Sequence, residues 1–436
     1  MRAAIPRVLL PCLASAACAL APASEVPARP NIVLIMVDDL GAEAIGCYGG
    51  SDYSTPHIDA LARSGMRFEH AHSTPLCTPT RVRIMTGRGS LRSYQRFSIL
   101  HPEERTFAHH LGEAGYATAV AGKWQLFGAR HYGAWAGRGT LPDDAGFDAW
   151  SLWQVDELGS RYWKPHITED GAVREDVAER YGPDVFCEYL ERFMTEQRDG
   201  PFLAYFPMAL THDPFVRTPR SRAGKASKRA RFADMVAYAD ELVGRLVAQL
   251  ERLGIADETL LLFTTDNGTH PSIVSTANGA EVRGGKGLSI DAGTHVPLIA
   301  VWPGVVRPGS VCEDLVDLAD VFSTIVEAGG ATIPAGHVID GRSFLPQLRG
   351  ERGVPREWIT CHYEPRPGNP EFPVERWARD RRFKLYEDGR LFDVVADPLE
   401  ERSLQPGTVN RAAAEARARL ATALAGMPER ARRITR

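Results

Sequence analysis

Asp38-Asp39 and Asp266-Asn267 each follow directly on a run of mostly apolar residues, Ile32 to Val37 and Thr259 to Thr265. Oxygen-bearing side chains at the end of a buried segment are costly unless they are solvated or hold a cation. Oxygen donors without His or Cys beside them suit calcium or magnesium rather than zinc. Between the two pairs, Cys77-Thr78-Pro79-Thr80-Arg81 sets a thiol four residues before a permanent cation and continues into Met85-Thr86-Gly87-Arg88. By itself that pentapeptide equally describes a buried thiol in a turn rich in Pro and Thr. His212 carries an imidazole, the side chain most often used for proton transfer. A lone His before a loop is otherwise an ordinary surface or capping residue.

These residues need elements that bring them together. The runs Ile32–Val37 and Thr259–Thr265 fit strands buried on both faces of a sheet. Open sheets of this kind bind ligands beyond the carboxyl ends of their strands, so both pairs are expected at one edge. Pro201 to Phe206 reads as a third buried strand, and it leads to Thr211-His212-Asp213-Pro214-Phe215. From Leu111 to Val120 a helix end, a turn at Gly115 and a short strand from Tyr116 are expected, running into Gly122-Lys123-Trp124-Gln125-Leu126. Val236, Tyr238, Val243, Leu246, Val247, Leu250 and Leu253 recur at helical spacing up to Gly254, which predicts an amphipathic helix covering the sheet. A further helix is expected over Asp320 to Ala328. Phe383–Tyr386 and the segment from Arg390 read as two short strands about a turn at Asp388-Gly389, and a helix from about Asn410 to Ala425 closes the chain.

Taken in order, these segments resemble the type I sulfatase family. The matching residues are Asp38-Asp39, Thr55-Pro56-His57-Ile58-Asp59-Ala60-Leu61 with His57 where the family pattern has Asn, Cys77-x-Pro79-x-Arg81, Gly122-Lys123-Trp124 and His212 ahead of Pro214-Phe215. Asp266-Asn267-Gly268, Gly284-Gly285-Lys286 and Asp397-Pro398-Leu399-Glu400 complete the series. Each motif is weak or moderate alone; their joint order is not expected by chance. The resemblance implies an α/β fold of the alkaline phosphatase-like kind, a large mixed sheet flanked by helices, with a smaller C-terminal antiparallel-sheet subdomain. The expected division is a signal peptide over 1–23, a catalytic domain over 30–350 and the C-terminal subdomain over 355–436.

The same resemblance implies that Cys77 is oxidised to formylglycine by a formylglycine-generating enzyme. The hydrate of that aldehyde attacks sulfur with one hydroxyl, and the other collapses to expel sulfate, a release that an ordinary Ser ester lacks. Asp38, Asp39, Asp266 and Asn267, with residue 77 as fifth ligand, are implied to bind one divalent cation, usually calcium, with magnesium as the alternative. Arg81, Lys123 and Lys286 are implied to hold the modified residue and the sulfate, and His212 to protonate the departing alcohol. Gln125 stands where many members carry His, and it cannot take up a proton near neutrality; with His295 it is expected to line the substrate pocket. A sulfated small molecule or glycan is the implied substrate.

Composition sets the remaining bounds. The 436 residues carry 51 Lys and Arg against 55 Asp and Glu, a formal net charge of -4, which gives no reason to expect a nucleic-acid partner. Arg2 and Arg7, the apolar stretch Val8 to Ala21 and the small residues up to Ala23 read as a secretory leader, so the protein is expected in the periplasm or outside the cell. A lipid anchor at Cys18 is the weaker reading, since Ser15 stands where such a signal carries a bulky residue. No later run approaches the ~20 apolar residues of a membrane helix. Cys47, Cys187, Cys312 and Cys361 form no recognisable disulfide framework, and free thiols serve as well as bridges.

Two segments stay open. Tyr132, Trp135, Trp150, Trp153, Tyr162 and Trp163 lie in an irregular stretch and either pack or offer platforms to a ring, packing being the commoner use. Arg217 to Arg231 is a basic loop that is either solvated or faces a polyanion. Two other functions share the motif set: a phosphonate monoester or phosphodiester hydrolase with the same modified Cys, and an exported binding protein without catalysis. The retained metal ligands and Cys77 argue against the binding protein.

Overall fold

The strand Asn31–Val37 (β1) lies in the middle of the main sheet, and all seven of its residues are buried. In the computed structural model, which describes Met1 and residues 29–372, 374–405, 407 and 410–430, Val33, Ile35 and Val37 face one core while Ile32, Leu34 and Met36 face the other. Burial on both sides is why the run has no polar alternation. The expected leader over 1–23, with Cys18, lies outside the described residues.

The other strands follow in chain order: β2 (Met66–His72), β3 (Ala117–Lys123), β4 (Ala149–Trp153), β5 (Thr168–Glu169), β6 (Ala172–Val173), β7 (Phe202–Pro207) and β8 (Thr259–Thr265). Then come β9 (Val274–Ala277), β10 (Ala280–Arg283), β11 (Leu298–Val301), β12 (Ser310–Asp317), β13 (Ile359–Tyr363), β14 (Glu375–Arg379), β15 (Phe383–Tyr386) and β16 (Leu391–Asp393). Ten of them form one sheet in the order β12-β2-β11-β8-β1-β7-β3-β4-β5-β6. β1 pairs in parallel with β7 and β8, and β3 in parallel with β7 and β4. β11 is antiparallel to both β8 and β2, so β2 runs with β8. The carboxyl ends of β1, β2, β3, β7 and β8 therefore meet on one edge of a mixed sheet.

Helices Pro56–Ser64, Gly182–Glu196 and Lys228–Leu253 cover one face; Cys77–Thr86, Phe107–Glu113 and Ala319–Ala328 cover the other. Each Leu, Ile or Phe sealed between these layers contributes roughly 1.5–3 kcal/mol. The helix Lys228–Leu253 begins inside the segment read as a loop. Ser227 caps it by accepting a hydrogen bond from the Ala230 N–H, so Lys228, Arg229 and Arg231 belong to its first turn. β3 starts at Ala117 and runs on to Lys123, beyond the strand expected from the sequence.

β13, β14, β15 and β16 form a separate four-stranded antiparallel sheet covered by the helix Arg411–Ala425. Its last hairpin turns about Asp388-Gly389 as the sequence indicated; β13 and β14 had no comparable signal. The five described cysteines, Cys47, Cys77, Cys187, Cys312 and Cys361, are free.

Candidate active site

The strand ends are stitched together by their backbones. Asp38 donates its N–H to the Leu210 carbonyl and its own carbonyl accepts from the Thr211 N–H, both at 2.6 Å, while the Asp266 N–H reaches the Val37 carbonyl at 3.1 Å. Asp39 takes a left-handed backbone, φ 60°, which Asp tolerates better than most residues. Its N–H donates to Asp266 Oδ1 at 3.1 Å. Gly122 has φ 134°, and a Cβ there would stand 2.1 Å from the Pro207 carbonyl oxygen, so only glycine lets β3 bring Lys123 this close to β7.

Cys77 is the first residue of the helix Cys77–Thr86, every residue of which is buried. The turn before it is fixed by Thr74, whose hydroxyl lies 2.6 Å from that of Thr80, and by the Gly287 N–H on the Pro75 carbonyl at 2.8 Å. That second bond ties the Lys286 loop to the Cys77 turn. No side chain caps the helix, so its free N–H groups and dipole favour negative charge near residue 77.

Ion pairs join the expected site residues. Arg81 holds Asp266 Oδ2 with two nitrogens, Nε at 3.1 Å and Nη2 at 2.8 Å. Lys123 Nζ lies 2.6 Å from Asp38 Oδ2, and Lys286 Nζ lies 2.6 Å from Asp39 Oδ2 and 2.9 Å from His212 Nε2. His212 Nδ1 donates to the Asp213 carbonyl at 2.6 Å, leaving Nε2 toward the cluster. Tyr162, from the aromatic stretch, donates its hydroxyl to the carbonyls of Ala209 and His212 and so steadies that loop.

Three carboxylates, Asp38, Asp39 and Asp266, thus face three cations, Arg81, Lys123 and Lys286. Burial alone would raise the Asp38 carboxyl, but Lys123 and then His212, Arg81 and Lys286 outweigh it and hold the group far below the usual carboxylate range. Burial, and after it the charge of Asp38, pushes Asp266 up despite Arg81. Burial also pushes the Cys77 thiol up, with Asp38 and Asp266 adding to the effect against Lys123. The unmodified sulfur is therefore a poor thiolate.

The donor set fits a hard divalent ion. Asp38 Oδ1 and Asn267 Oδ1 are buried without a hydrogen-bond partner, which is unusual for interior oxygens. One ligand atom each from Asp38, Cys77 and Asp266 falls within 4.8 Å of the others, and the same holds for Asp38, Asp39 and His212. A divalent ion among these oxygens would turn a neutral cluster net positive, an environment for an oxyanion.

Gln125, at φ 56°, donates its N–H to the Gln154 carbonyl at 3.2 Å, and its side-chain oxygen accepts from Cys77 Sγ at 3.3 Å. It therefore touches residue 77 directly. His295 sits elsewhere. Its Nε2 bonds to the Glu69 carbonyl at 2.9 Å and its ring lies 5.2 Å from that of His72, so its contacts are with packing below the Lys286 loop and lend no support to a role in the pocket. Sequence reasoning missed Tyr162 and Gln154 as supports of the site; both act through contacts distant in the chain.

Comparison with known proteins names the group. The family profile described as Sulfatase matches residues 30–331, and the profile for the C-terminal part of N-sulphoglucosamine sulphohydrolase matches residues 285–426. Steryl-sulfatase of Mus musculus is 31% identical over 88% of this chain and 80% of its own length; arylsulfatase A of Homo sapiens is 31% identical over 87% and 80%. A solved structure in complex with its substrate D-glucosamine-2-N,6-O-disulfate superposes with a TM-score of 0.75 at 21% identity, covering 91% of this chain and 97% of that one, a likeness of fold. The chain belongs to the sulfatase family. It is an enzyme of sulfuric ester hydrolysis.

Proposed function

We propose that this sulfatase removes sulfate from a sulfated carbohydrate, using residue 77 as formylglycine and one calcium ion held by Asp38, Asp39, Asp266 and Asn267. The observation that carries the reading is the placement of Cys77 Sγ within 4.8 Å of oxygens of both Asp38 and Asp266. A thiol pushed up by burial has little use as a nucleophile there, whereas an oxygen nucleophile beside a divalent ion does. When bound, the cation supplies charge stabilisation to an oxygen nucleophile and to the sulfate.

The chain's own groups do the rest. Arg81, locked on Asp266 by two hydrogen bonds, keeps a fixed cation beside residue 77. Lys123 and Lys286, which neutralise Asp38 and Asp39, are positioned to meet sulfate oxygens once the cation takes over those carboxylates. Donors of this kind are worth roughly 10²–10³ in rate each. His212 Nε2 protonates the leaving alcohol, with Tyr162 holding its loop. Gln125 positions residue 77 without titrating.

A carbohydrate is the preferred substrate because the C-terminal profile and the solved complex both belong to sulfated glucosamine chemistry. Residues 30–350 carry the reaction and 355–436 form the subdomain beside them. Residues 1–23, with Arg2 and Arg7 ahead of an apolar stretch, serve as the export signal.

The test is the mass of the tryptic peptide Phe68–Arg81 from protein made in its own host or together with a formylglycine-generating enzyme. An aldehyde or hydrate at 77, with turnover of an aryl sulfate well above that of an aryl phosphodiester, is expected. A wholly unmodified thiol in active protein would overturn the mechanism, and a preference for the phosphodiester would overturn the substrate class.

A further inference from the structure

Residue 77 has a second set of neighbours, and these carry no charge. Gln125 Oε1 accepts from Cys77 Sγ at 3.3 Å. Ser98 donates its N–H to Thr78 Oγ1 at 3.2 Å, one residue along the same helix. β3 and β4 continue their pairing past Lys123 and Trp153: the Trp124 N–H meets the Trp153 carbonyl at 3.0 Å, and the Gln125 N–H meets the Gln154 carbonyl at 3.2 Å. The side chains converge on one hydroxyl, that of Tyr132. Burial raises it, hydrogen-bonding contributions from Ser98, Gln154 and Gln125 oppose the rise, and the Cys77 thiol is close enough to add to it.

Ser98, Gln125 and Gln154 all take a left-handed backbone, with φ 68°, 56° and 60°, and they are three of the eight described residues other than glycine with positive φ. Such residues hold that backbone at a cost, and strain of this kind gathers at functional sites. Ser98 Oγ and both ends of the Gln154 amide are buried without closing a hydrogen bond among the described residues, in residues 0% and 1% exposed. Interior polar groups rarely stay unpaired. Hydroxyls and amides together offer donors and acceptors without charge, which suits a neutral hydroxylic molecule rather than an ion. An ordered water in a protein interior takes two to four partners of this sort. Tyr132 belongs to the segment Arg130–Trp135, none of whose residues is buried, so the group borders the surface on that side.

The reaction consumes such a molecule. Once sulfate has left, residue 77 is an aldehyde, and one water must add to it before the next turnover. We propose that Ser98, Tyr132, Gln154 and Gln125 bind this water and present it to residue 77. Its oxygen bonds to the carbonyl carbon, and the π pair of the carbonyl passes to the carbonyl oxygen. That oxygen gains a proton as the water loses one, so the hydrate is restored with nothing oxidised or reduced. The Tyr132 and Ser98 hydroxyls can each take one proton while giving another, so the transfer leaves no charge behind. Gln125, which takes up no proton, accepts the hydrogen bond of a hydroxyl on residue 77 where it now accepts from Sγ. The proposal rests on the formylglycine reading above and adds where its water is held.

Rapid-mixing turnover of an aryl sulfate by the full-length enzyme in calcium, with Tyr132→Phe and Gln154→Leu beside the wild type, tests it. The ratio kcat/KM covers only the steps up to sulfur transfer, the first irreversible one, whereas kcat also contains the rehydration that follows. Each variant should lose about tenfold in kcat while kcat/KM stays within about twofold of wild type. Each should also release a burst of about one phenolate per active site before its slow phase. Methoxyamine condenses with aldehydes, so during turnover it should label residue 77 of the variants faster than that of the wild type, read from the mass of the peptide Phe68–Arg81. Equal falls in kcat and kcat/KM without a burst would move these side chains to the sulfur-transfer step, and unchanged kinetics in both variants would remove them from the reaction; either result overturns the water site. Should Gln154→Leu not fold, Tyr132→Phe, at a half-buried position, decides by the same readouts. A wild type that turns over yet never reacts with methoxyamine would overturn the formylglycine reading and this site with it, an outcome distinct from a labelled enzyme whose variants show no burst.

Discussion

Lys123 Nζ lies 2.6 Å from Asp38 Oδ2 with neither side chain exposed to solvent. Removing one partner of such a pair leaves an uncompensated buried charge, at roughly 3–5 kcal/mol. A cation bound beside Asp38 would supply another partner for that charge. Lys123→Met should therefore lower the melting temperature strongly in chelator and much less in millimolar calcium, while turnover in calcium falls by roughly 10²–10³. An equal loss of stability in the two conditions would remove Asp38 from the cation site.

His212 faces Lys286 at 2.9 Å through Nε2 and is anchored through Nδ1. General acids of this kind contribute roughly 10²–10⁴ where the leaving group needs a proton. His212→Ala should lose activity in that range on a sugar sulfate and far less on an activated aryl sulfate, whose phenolate leaves unaided. Equal losses on both substrates would rule out the acid role.

The parts of the site that could be read in the sequence are those carried by strand ends. β1 and β8 are buried on both faces, so each reads as a continuous apolar run, and the polar pair that ends it stands out. Lys123 and His212, at and beyond the ends of β3 and β7, follow the same logic, whereas Cys77 opens a helix and was legible only through its resemblance to a family motif. What stayed hidden depends on distance in the chain. Gln125 meets Cys77 across 48 positions, and Tyr162 meets His212 across 50. Nothing local to an aromatic stretch tells which ring packs: Trp150, Trp153 and Tyr162 are buried, while Trp163 is exposed. The contacts of His295 with the Glu69 carbonyl and the His72 ring were hidden for the related reason that its motif neighbours Gly293 and Val296 fix the backbone path and not the direction of its ring.

Glu400 links the C-terminal sheet to the Lys286 loop. Its Oε1 accepts from Lys384 Nζ at 2.8 Å and from the Asp291 N–H at 2.9 Å, and its Oε2 accepts from the Tyr386 hydroxyl at 2.6 Å. Lys384 also donates to the Ser289 carbonyl. Glu400→Gln keeps the shape and strands a buried ammonium, so roughly 3–5 kcal/mol of stability should be lost. Lys384→Gln/Glu400→Gln should recover a good part of it in denaturant titrations, because no unpaired charge remains. A double variant that loses the sum of the two single losses would show that the pair is not the relevant unit.

His72 and His295 make the fold sensitive to mild acid. Burial, then the charge of Arg379 and the mutual proximity of the two rings, holds the His72 imidazole well below its ordinary value. Burial likewise lowers His295, with Arg379 adding to it, although Asp291 and the Glu69 carbonyl act in the opposite direction. Lys384 and His70 face His72 as further positive or ionisable neighbours and leave the direction unchanged. In the unfolded chain both rings take up protons near pH 6.5. Between there and their lowered folded values the unfolded state binds more protons, so stability rises with pH and is lost as pH falls through that window. Melting temperatures measured from pH 7.5 to 5 should drop, and His72→Asn should flatten the curve while lowering its neutral-pH plateau. A variant curve with the wild-type slope would mean that the acid sensitivity arises elsewhere.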